Sequence, residues 1–162
     1  MESPKIIERT GFLLAGSSLM MCLNQDRTPE LWRSFMPLRN QIPYRTDDGL
    51  YALQHYAPNW SVVCPDPQAE FEKWAAVAVS QEGVLPSGLA FLNVPGGLYA
   101  VFRHQGPAHT FLQTAHHIFV DWMPYSGYTT DDRPHFEILR EGYNPYDPVA
   151  EEDIWVPIRV VS

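Results

Sequence analysis

The sequence contains two pairs of similar segments whose members are separated by nearly equal distances. The segment YRTDD at 44–48 and the segment YTTDD at 128–132 are identical at four of five positions. The segment EFEKWAAVAV at 70–79 and the segment EEDIWVPIRV at 151–160 share a glutamate, a tryptophan and a valine. The offsets are 84 residues (44 to 128) and 81 residues (70 to 151), and the order is the same. Repetition at this period predicts that the chain folds as two copies of one small unit.

Each predicted copy has the element order strand, helix, strand, strand. The first half covers about residues 1–82 and the second about 90–162, within a single domain spanning 1–162. In the first half, apolar periodicity and turn residues predict a helix at 28–42 and strands at 5–15, 50–56 and 73–79. In the second half, they predict a helix at 108–122 and strands at 98–104, 135–141 and 153–161. Strands joined by short turns pair antiparallel. The predicted fold class is α+β, with an antiparallel sheet, a pseudo-twofold axis and a ligand groove between the halves.

The first predicted helix carries its own start and break signals. Thr28 is placed to cap its N-terminus, and Pro29 suits the first turn. An apolar stripe follows, formed by Leu31, Phe35, Leu38 and Ile42. Pro37 lies inside this stripe, so the helix is predicted to kink or divide there.

The charge balance limits the classes of partner. The formal net charge is -8, whereas nucleic-acid binding needs a basic face, so direct nucleic-acid binding is not expected. No window has the length of a membrane span, and the apolar run at 12–23 is broken by Gly-Ser-Ser, so neither a membrane segment nor a secretion signal is predicted. We expect a cytoplasmic protein without a cofactor, in which Cys22 and Cys64 are buried free thiols.

Recognisable catalytic and metal-binding patterns are missing from the sequence. Four histidines are close together, at positions 104, 109, 116 and 117, but no carboxylate or thiol lies at a spacing typical of a metal site. The chain also has no GxSxG, P-loop or HExxH motif. We therefore expect no metal centre and no catalytic residue of these classes.

Glu137 stands in the middle of the apolar strand HFEIL, where an aliphatic residue would suffice for folding. Side chains alternate between the two faces of a strand, so Phe136 and Ile138 share the face opposite Glu137. If that apolar face packs under a helix, Glu137 points away from the helix and towards the groove. The matching strand of the first half carries Ala52 or Leu53 at this position, so the strand itself does not require a carboxylate.

Two interpretations of Glu137 remain open at this level. A carboxylate in a half-dry groove is disfavoured by several kcal/mol and raises its own pKa, and a bound organic cation would relieve that cost. Alternatively, Glu137 is a solvent-exposed residue of an edge strand, where a charge discourages aggregation.

Aromatic residues are numerous, at 13% of the chain, and most of them must form core. In the last strand of each half, a tryptophan alternates with smaller residues, and the branched aliphatic residues around Trp155 suit the core face. This leaves Trp155 facing the groove or solvent, and Trp74 beside small alanines that leave room for a ligand. The candidate ring walls for a cation, each contributing about 0.5 to 2 kcal/mol, are Trp74, Trp155, Tyr51, Tyr99 and Trp60.

Several motifs of the second half together resemble the GyrI-like family. They are GGLYAVFRHQG, a following helix, WMPYSGY, DRPHFEIL and DIWVPI. This family comprises the effector-binding domain found at the end of some AraC-type and MerR-type transcription activators, and free-standing proteins. The resemblance implies a duplicated strand-helix-strand-strand fold whose groove binds lipophilic organic cations between aromatic rings. It also implies that the glutamate of the P-x-F-E pattern, Glu137 here, lies in that pocket.

These observations lead us to expect a binding module for hydrophobic, cationic small molecules of the drug or dye type, acting as a sensor or by sequestration, and not an enzyme. No helix-turn-helix pattern is found, although a transcription regulator is a possible protein partner. Two alternatives follow from the resemblance. One is a hydrolase of reactive cyclopropane-type toxins that uses the groove glutamate as a general base. The other is an inhibitor of a gyrase-like enzyme, with an acidic surface that imitates DNA.

Overall fold

The computed structural model describes residues 3–61, 64–144 and 147–161. Its strands are β1 (Lys5–Arg9), β2 (Phe12–Met21), β3 (Leu50–His55), β4 (Phe71–Val79), β5 (Ala90–Val94), β6 (Gly97–Gln105), β7 (Tyr128–Thr130), β8 (His135–Leu139) and β9 (Glu151–Val160). The α-helices are α1 (Thr28–Phe35) and α2 (Phe111–His116), with 3₁₀ segments at Met36–Gln41, Ala108–Thr110 and Met123–Tyr125 and a π-helix at His117–Trp122. None of the helices in these ranges combines the length and apolar character that a membrane span needs.

All strands belong to one antiparallel sheet with the order β1-β6-β9-β8-β3-β4-β2-β5, and β7 pairs separately with β9. The central pair, β8 and β3, joins the two halves, with Glu137 opposite Ala52. On either side of this pair the order is β9-β6 and β4-β2, so the second half mirrors the first. The structure therefore confirms the α+β class and the antiparallel sheet. The descent of both halves from one duplicated unit stays a prediction.

The sheet is strongly curled, because its two ends are connected by a very short segment. In the sheet order β1 and β2 are six strand positions apart, which corresponds to about 29 Å in a flat sheet. Only Thr10 and Gly11 link them, and three Cα steps span at most about 11 Å. The strands must therefore bend round towards a nearly closed barrel, with an inner and an outer face.

Part of the inner face is covered by an aromatic cluster. Ring centroids within it lie between 5.4 and 5.9 Å apart, and its members are Phe12, Tyr51, Tyr99, Phe136 and Trp155. The guanidinium of Arg9 lies 3.7 Å from the ring centroid of Phe12 and 5.1 Å from that of Trp155, and Nη2 of Arg9 donates to the Tyr51 hydroxyl at 3.2 Å. A cation that the protein supplies therefore already lies against these rings.

Both helices pack on the outer face. Helix α1 buries Leu31 and Phe35 against Ala75 and Val77 of β4. The helical segment of the second half buries Ile118 in a cluster with residues of β6 and β9. A shallow space between the two helices, floored by the central strands, is therefore left on the outer side of the sheet.

Several predicted elements need correction in detail. The strand predicted at 5–15 is two strands, β1 and β2, because the chain crosses from one end of the sheet to the other between them. Thr28 is the first residue of α1 and not its cap; Oδ1 of Asp26 accepts a hydrogen bond from its backbone N–H at 3.0 Å. Pro37 divides the first helix as predicted, since α1 gives way to a 3₁₀ segment at Met36. Cys22 is buried, but Cys64 is exposed, so the prediction that both thiols are buried is wrong for Cys64.

Candidate functional site

A cavity of about 310 Å³ lies on the outer face of the sheet, between the two helices. Its floor is built from the four central strands and its walls from the start of α1, the segment α2 to π-helix and the loop after β3. Both halves of the chain contribute to the lining, which includes Thr28, Gln54, Tyr56, Trp60, Phe71, Lys73, Phe111, Ile118, Phe119, His135, Glu137, Ile154 and Val156. We refer to this space as the inter-helix cavity.

Glu137 lies on the floor of the inter-helix cavity. Its side chain is half-buried and lines the cavity. Nε2 of Gln54 donates to Oε1 of Glu137 at 3.5 Å, and in the described parts of the chain Glu137 forms no ion pair. The pKa of Glu137 is raised to about 8, chiefly by loss of hydration; the charge of Lys73 and the hydrogen bond from Gln54 oppose this rise, and the charge of Glu152 adds to it.

One wall of the inter-helix cavity is aromatic. The rings of Tyr56 and Trp60 stack at 4.7 Å with an angle of 16° between their planes, and Phe71 contacts both at 5.2 and 5.3 Å. The ring of His135 lies 5.3 Å from that of Tyr56 and 6.2 Å from that of Phe119. This wall therefore offers the π faces that attract organic cations.

The ionisable groups of the aromatic wall are uncharged near neutral pH. The pKa of His135 is lowered to about 4, chiefly by burial and in addition by the positive charge of Arg133. Burial raises the pKa of the Tyr56 phenol well above its ordinary value, and the negative charge of Glu137 adds to that effect. Neither group can thus neutralise Glu137.

Lys73 lies on the floor of the cavity, two residues from Phe71 along β4, and is held through a short chain of hydrogen bonds. Nζ of Lys73 donates to Oγ1 of Thr28 at 3.1 Å, and that hydroxyl donates to Oδ1 of Asp26 at 2.5 Å. Burial alone would raise the pKa of Asp26, but the hydrogen bonds from Thr28 and the charge of Lys73 outweigh it and hold that pKa below its ordinary value. Asp26 is therefore an anionic anchor for Thr28 and, through it, for Lys73.

Of the six residues predicted from the sequence, the structure brings two together. Glu137 and Trp60 line the inter-helix cavity. Trp74, Trp155, Tyr51 and Tyr99 do not: they pack in the cluster on the inner face of the curled sheet.

These four residues were predicted at the wrong place because the sequence argument assigned the groove to the wrong face of their strands. The inference about the direction of Glu137 holds only if Phe136 packs under a helix, but Phe136 lies on the inner face, stacked on Trp155 at 5.4 Å. Glu137, on the alternate face, consequently shares the outer side with both helices. The inference that Glu137 points away from the helices is wrong, whereas the inference that Ile154 and Val156 face the core is confirmed.

The sequence argument missed most of the cavity wall, namely Tyr56, Phe71, Lys73, Phe119 and His135. A signal was present for three of them. Phe71 and Lys73 alternate with Trp74 along β4, so placing Trp74 in the interior assigns both to the outer face. His135 likewise shares its face with Glu137. Tyr56 lies beyond the end of β3 and Phe119 in a π-helix, and no strand alternation reports on either.

Comparisons with known proteins identify one family and one shared fold. A family model described as "GyrI-like small molecule binding domain" matches residues 2–159. The structure of SAV2435 bound to tetraphenylphosphonium is 15% identical, with a TM-score of 0.70 over 98% of this chain and 94% of that one. The C-terminal domain of EcmrR is 14% identical, with a TM-score of 0.67 over 98% of both chains. A hydrolase from Listeria innocua is 13% identical, with a TM-score of 0.58 over 97% of this chain and 92% of that one. At these identities the solved structures show a shared fold.

Proposed function

The chain belongs to the GyrI-like family of small-molecule binding domains, and from this premise we propose that its inter-helix cavity binds hydrophobic organic cations. In this proposal Glu137 is the counter-charge of the ligand, and Trp60 with Tyr56 forms a ring wall against it. The volume of about 310 Å³ lies at the lower end of the range typical of small-molecule sites.

The single observation that carries the proposal is the state of Glu137. This carboxyl has no ion pair in the described residues, accepts one long hydrogen bond from Gln54, and has a pKa raised by desolvation. A bound cation would restore the electrostatic partner that burial removes, so binding energy is available only to ligands with a positive charge. The tetraphenylphosphonium bound by SAV2435 is a lipophilic cation and supports this choice of ligand class.

The proposal is tested by titrating the protein with tetraphenylphosphonium and following tryptophan fluorescence. Because Trp60 lines the cavity, its emission should change when a ligand binds there. At about pH 9, where Glu137 is mostly ionised, Glu137→Gln is expected to weaken binding about tenfold or more, which corresponds to about 1.4 kcal/mol. The matched control is Glu82→Gln, which removes the same charge from an exposed position. Equal affinities of wild type and Glu137→Gln would contradict the role given to Glu137.

We further propose that the ligand is bound without chemical change, so that the domain senses or sequesters it. The hydrolase from Listeria innocua shares the fold and motivates the alternative, in which Glu137 would act as general base on a water. Prolonged incubation with a reactive cyclopropane-type compound, followed by mass analysis, separates the two: a binding domain returns the compound unchanged. Binding to a protein partner, either a transcription regulator or a gyrase-like enzyme, stays a prediction. A pull-down at several salt concentrations would test it.

A further inference from the structure

The inter-helix cavity is charged at two places, and the charges are opposite. Lys73 is half-buried and lines the cavity. Its described hydrogen bond goes to the Thr28 hydroxyl, and in the described residues it forms no ion pair. An ammonium group carries three donors. Lys73 is therefore positioned by Thr28 and still has N–H groups to offer to a molecule in the cavity.

The strand register fixes the separation of the two charged residues. Ala52 on β3 pairs with Glu137 on one side and with Ala75 on the other, and Ala75 is two residues from Lys73 along β4. Two strand spacings across the sheet and two residues along it place the Cα atoms of Glu137 and Lys73 about 12 Å apart. That separation suits a ligand that extends from one charge to the other across Gln54.

We propose that the preferred ligands of this cavity are zwitterions, with the organic cation facing Glu137 and a carboxylate bound by Lys73. This inference rests on the proposed function, because Glu137 must receive the cationic group. Both charged side chains have lost hydration, and each gains when an opposite charge is placed beside it. A simple cation satisfies only Glu137 and is repelled by Lys73, whereas a zwitterion satisfies both. Gln54 of β3 lies between the two charged side chains. Ile154, paired with Glu137 from β9, and Ile118 lie on the far side of Glu137 from Lys73 and suit the hydrophobic groups of the cation.

A pair of matched probes tests the proposal: carboxybutyl-triphenylphosphonium and pentyl-triphenylphosphonium, whose chains differ only in a terminal carboxylate or methyl group. The wild-type protein is expected to bind the carboxylate probe at least as tightly as the pentyl probe. Lys73→Met is expected to weaken binding of the carboxylate probe about tenfold or more and to leave the pentyl probe as tight or tighter. Lys73→Arg should keep the wild-type preference, and Lys5→Met, on the surface, is the charge control.

The outcomes separate this inference from the proposed function. If pentyl-triphenylphosphonium binds and Glu137→Gln weakens it, but Lys73→Met leaves the ratio of the two probes unchanged, the zwitterion inference is wrong and the cation site stands. If the wild-type protein binds neither probe, the proposed function fails as well. Lys73→Gln, which removes the charge and keeps a polar side chain, should give the same loss of preference if Lys73→Met does not fold.

Discussion

The affinity of the inter-helix cavity for a permanent cation should rise with pH, because the cation binds the ionised form of Glu137. The pKa of this carboxyl in the empty protein is about 8. At about pH 7, roughly nine in ten molecules therefore carry a protonated Glu137 and must release that proton on binding. The ligand itself has no titratable group when it is tetraphenylphosphonium, so any pH dependence originates in the protein.

The expected size of the effect follows from this linkage. Below the pKa of Glu137, the apparent dissociation constant should increase by up to about tenfold for each unit by which the pH falls. Above about pH 9 it should be constant. Between about pH 9 and about pH 6 the affinity should fall by at least the roughly tenfold expected for Glu137→Gln, with an upper limit of roughly 100-fold set by the ionised fraction of Glu137. The other titratable groups of the aromatic wall do not interfere, since the pKa of His135 is about 4 and that of Tyr56 is raised above its ordinary value.

Fluorescence titration at several pH values measures how the dissociation constant depends on pH. Calorimetry in two buffers of different ionisation enthalpy measures the number of protons released on binding, which should be roughly 0.9 per ligand at about pH 7. Glu137→Gln should abolish both signals. The pKa of Glu152 is raised as well, first by burial, so Glu152→Gln is an informative control: it should shift the midpoint to lower pH and keep the slope. A wild-type affinity that does not change from about pH 6 to pH 9 would refute the reasoning.

Three further predictions concern stability and the cavity wall. The folded-state pKa of Glu137 lies above its ordinary value of 4.5, so the folded state binds more protons than the unfolded state between these two pKa values. The free energy of unfolding should therefore fall as pH rises towards 8. Glu137→Gln should remove this pH dependence and stabilise the protein by on the order of 2 to 4 kcal/mol, as measured by urea unfolding at about pH 9. Trp60→Ala should weaken tetraphenylphosphonium binding by about 0.5 to 2 kcal/mol, whereas Trp155→Phe, on the inner face, should leave the dissociation constant unchanged. Arg9→Met removes a hydrogen bond and several cation–π contacts from the barrel interior and should lower the free energy of unfolding by about 1 to 3 kcal/mol without changing ligand affinity.

The sequence by itself predicted the order of strands and helices in each half and pointed to Glu137 as a candidate site residue. The repeated segments and the spacing of apolar residues were enough to predict two strand-helix-strand-strand units, and Pro37 was enough to predict where the first helix divides. A carboxylate in an otherwise apolar strand indicated a site because local folding offers no reason for it. These inferences depend on neighbours along the chain, and that information is contained in the sequence.

Only the tertiary structure decided which face of the sheet forms the cavity. Alternation defines two faces, but both faces of the central strands are apolar enough to be buried, so periodicity cannot say which one the helices cover. The short link from Arg9 to Phe12 curls the sheet and turns Tyr51 and Trp155 inward, where Arg9 takes the place predicted for a ligand cation. Strand pairing likewise places Lys73 across the cavity from Glu137, although the two are far apart in sequence. Such neighbours exist only once the sheet has closed, because closure and register are properties of the whole chain.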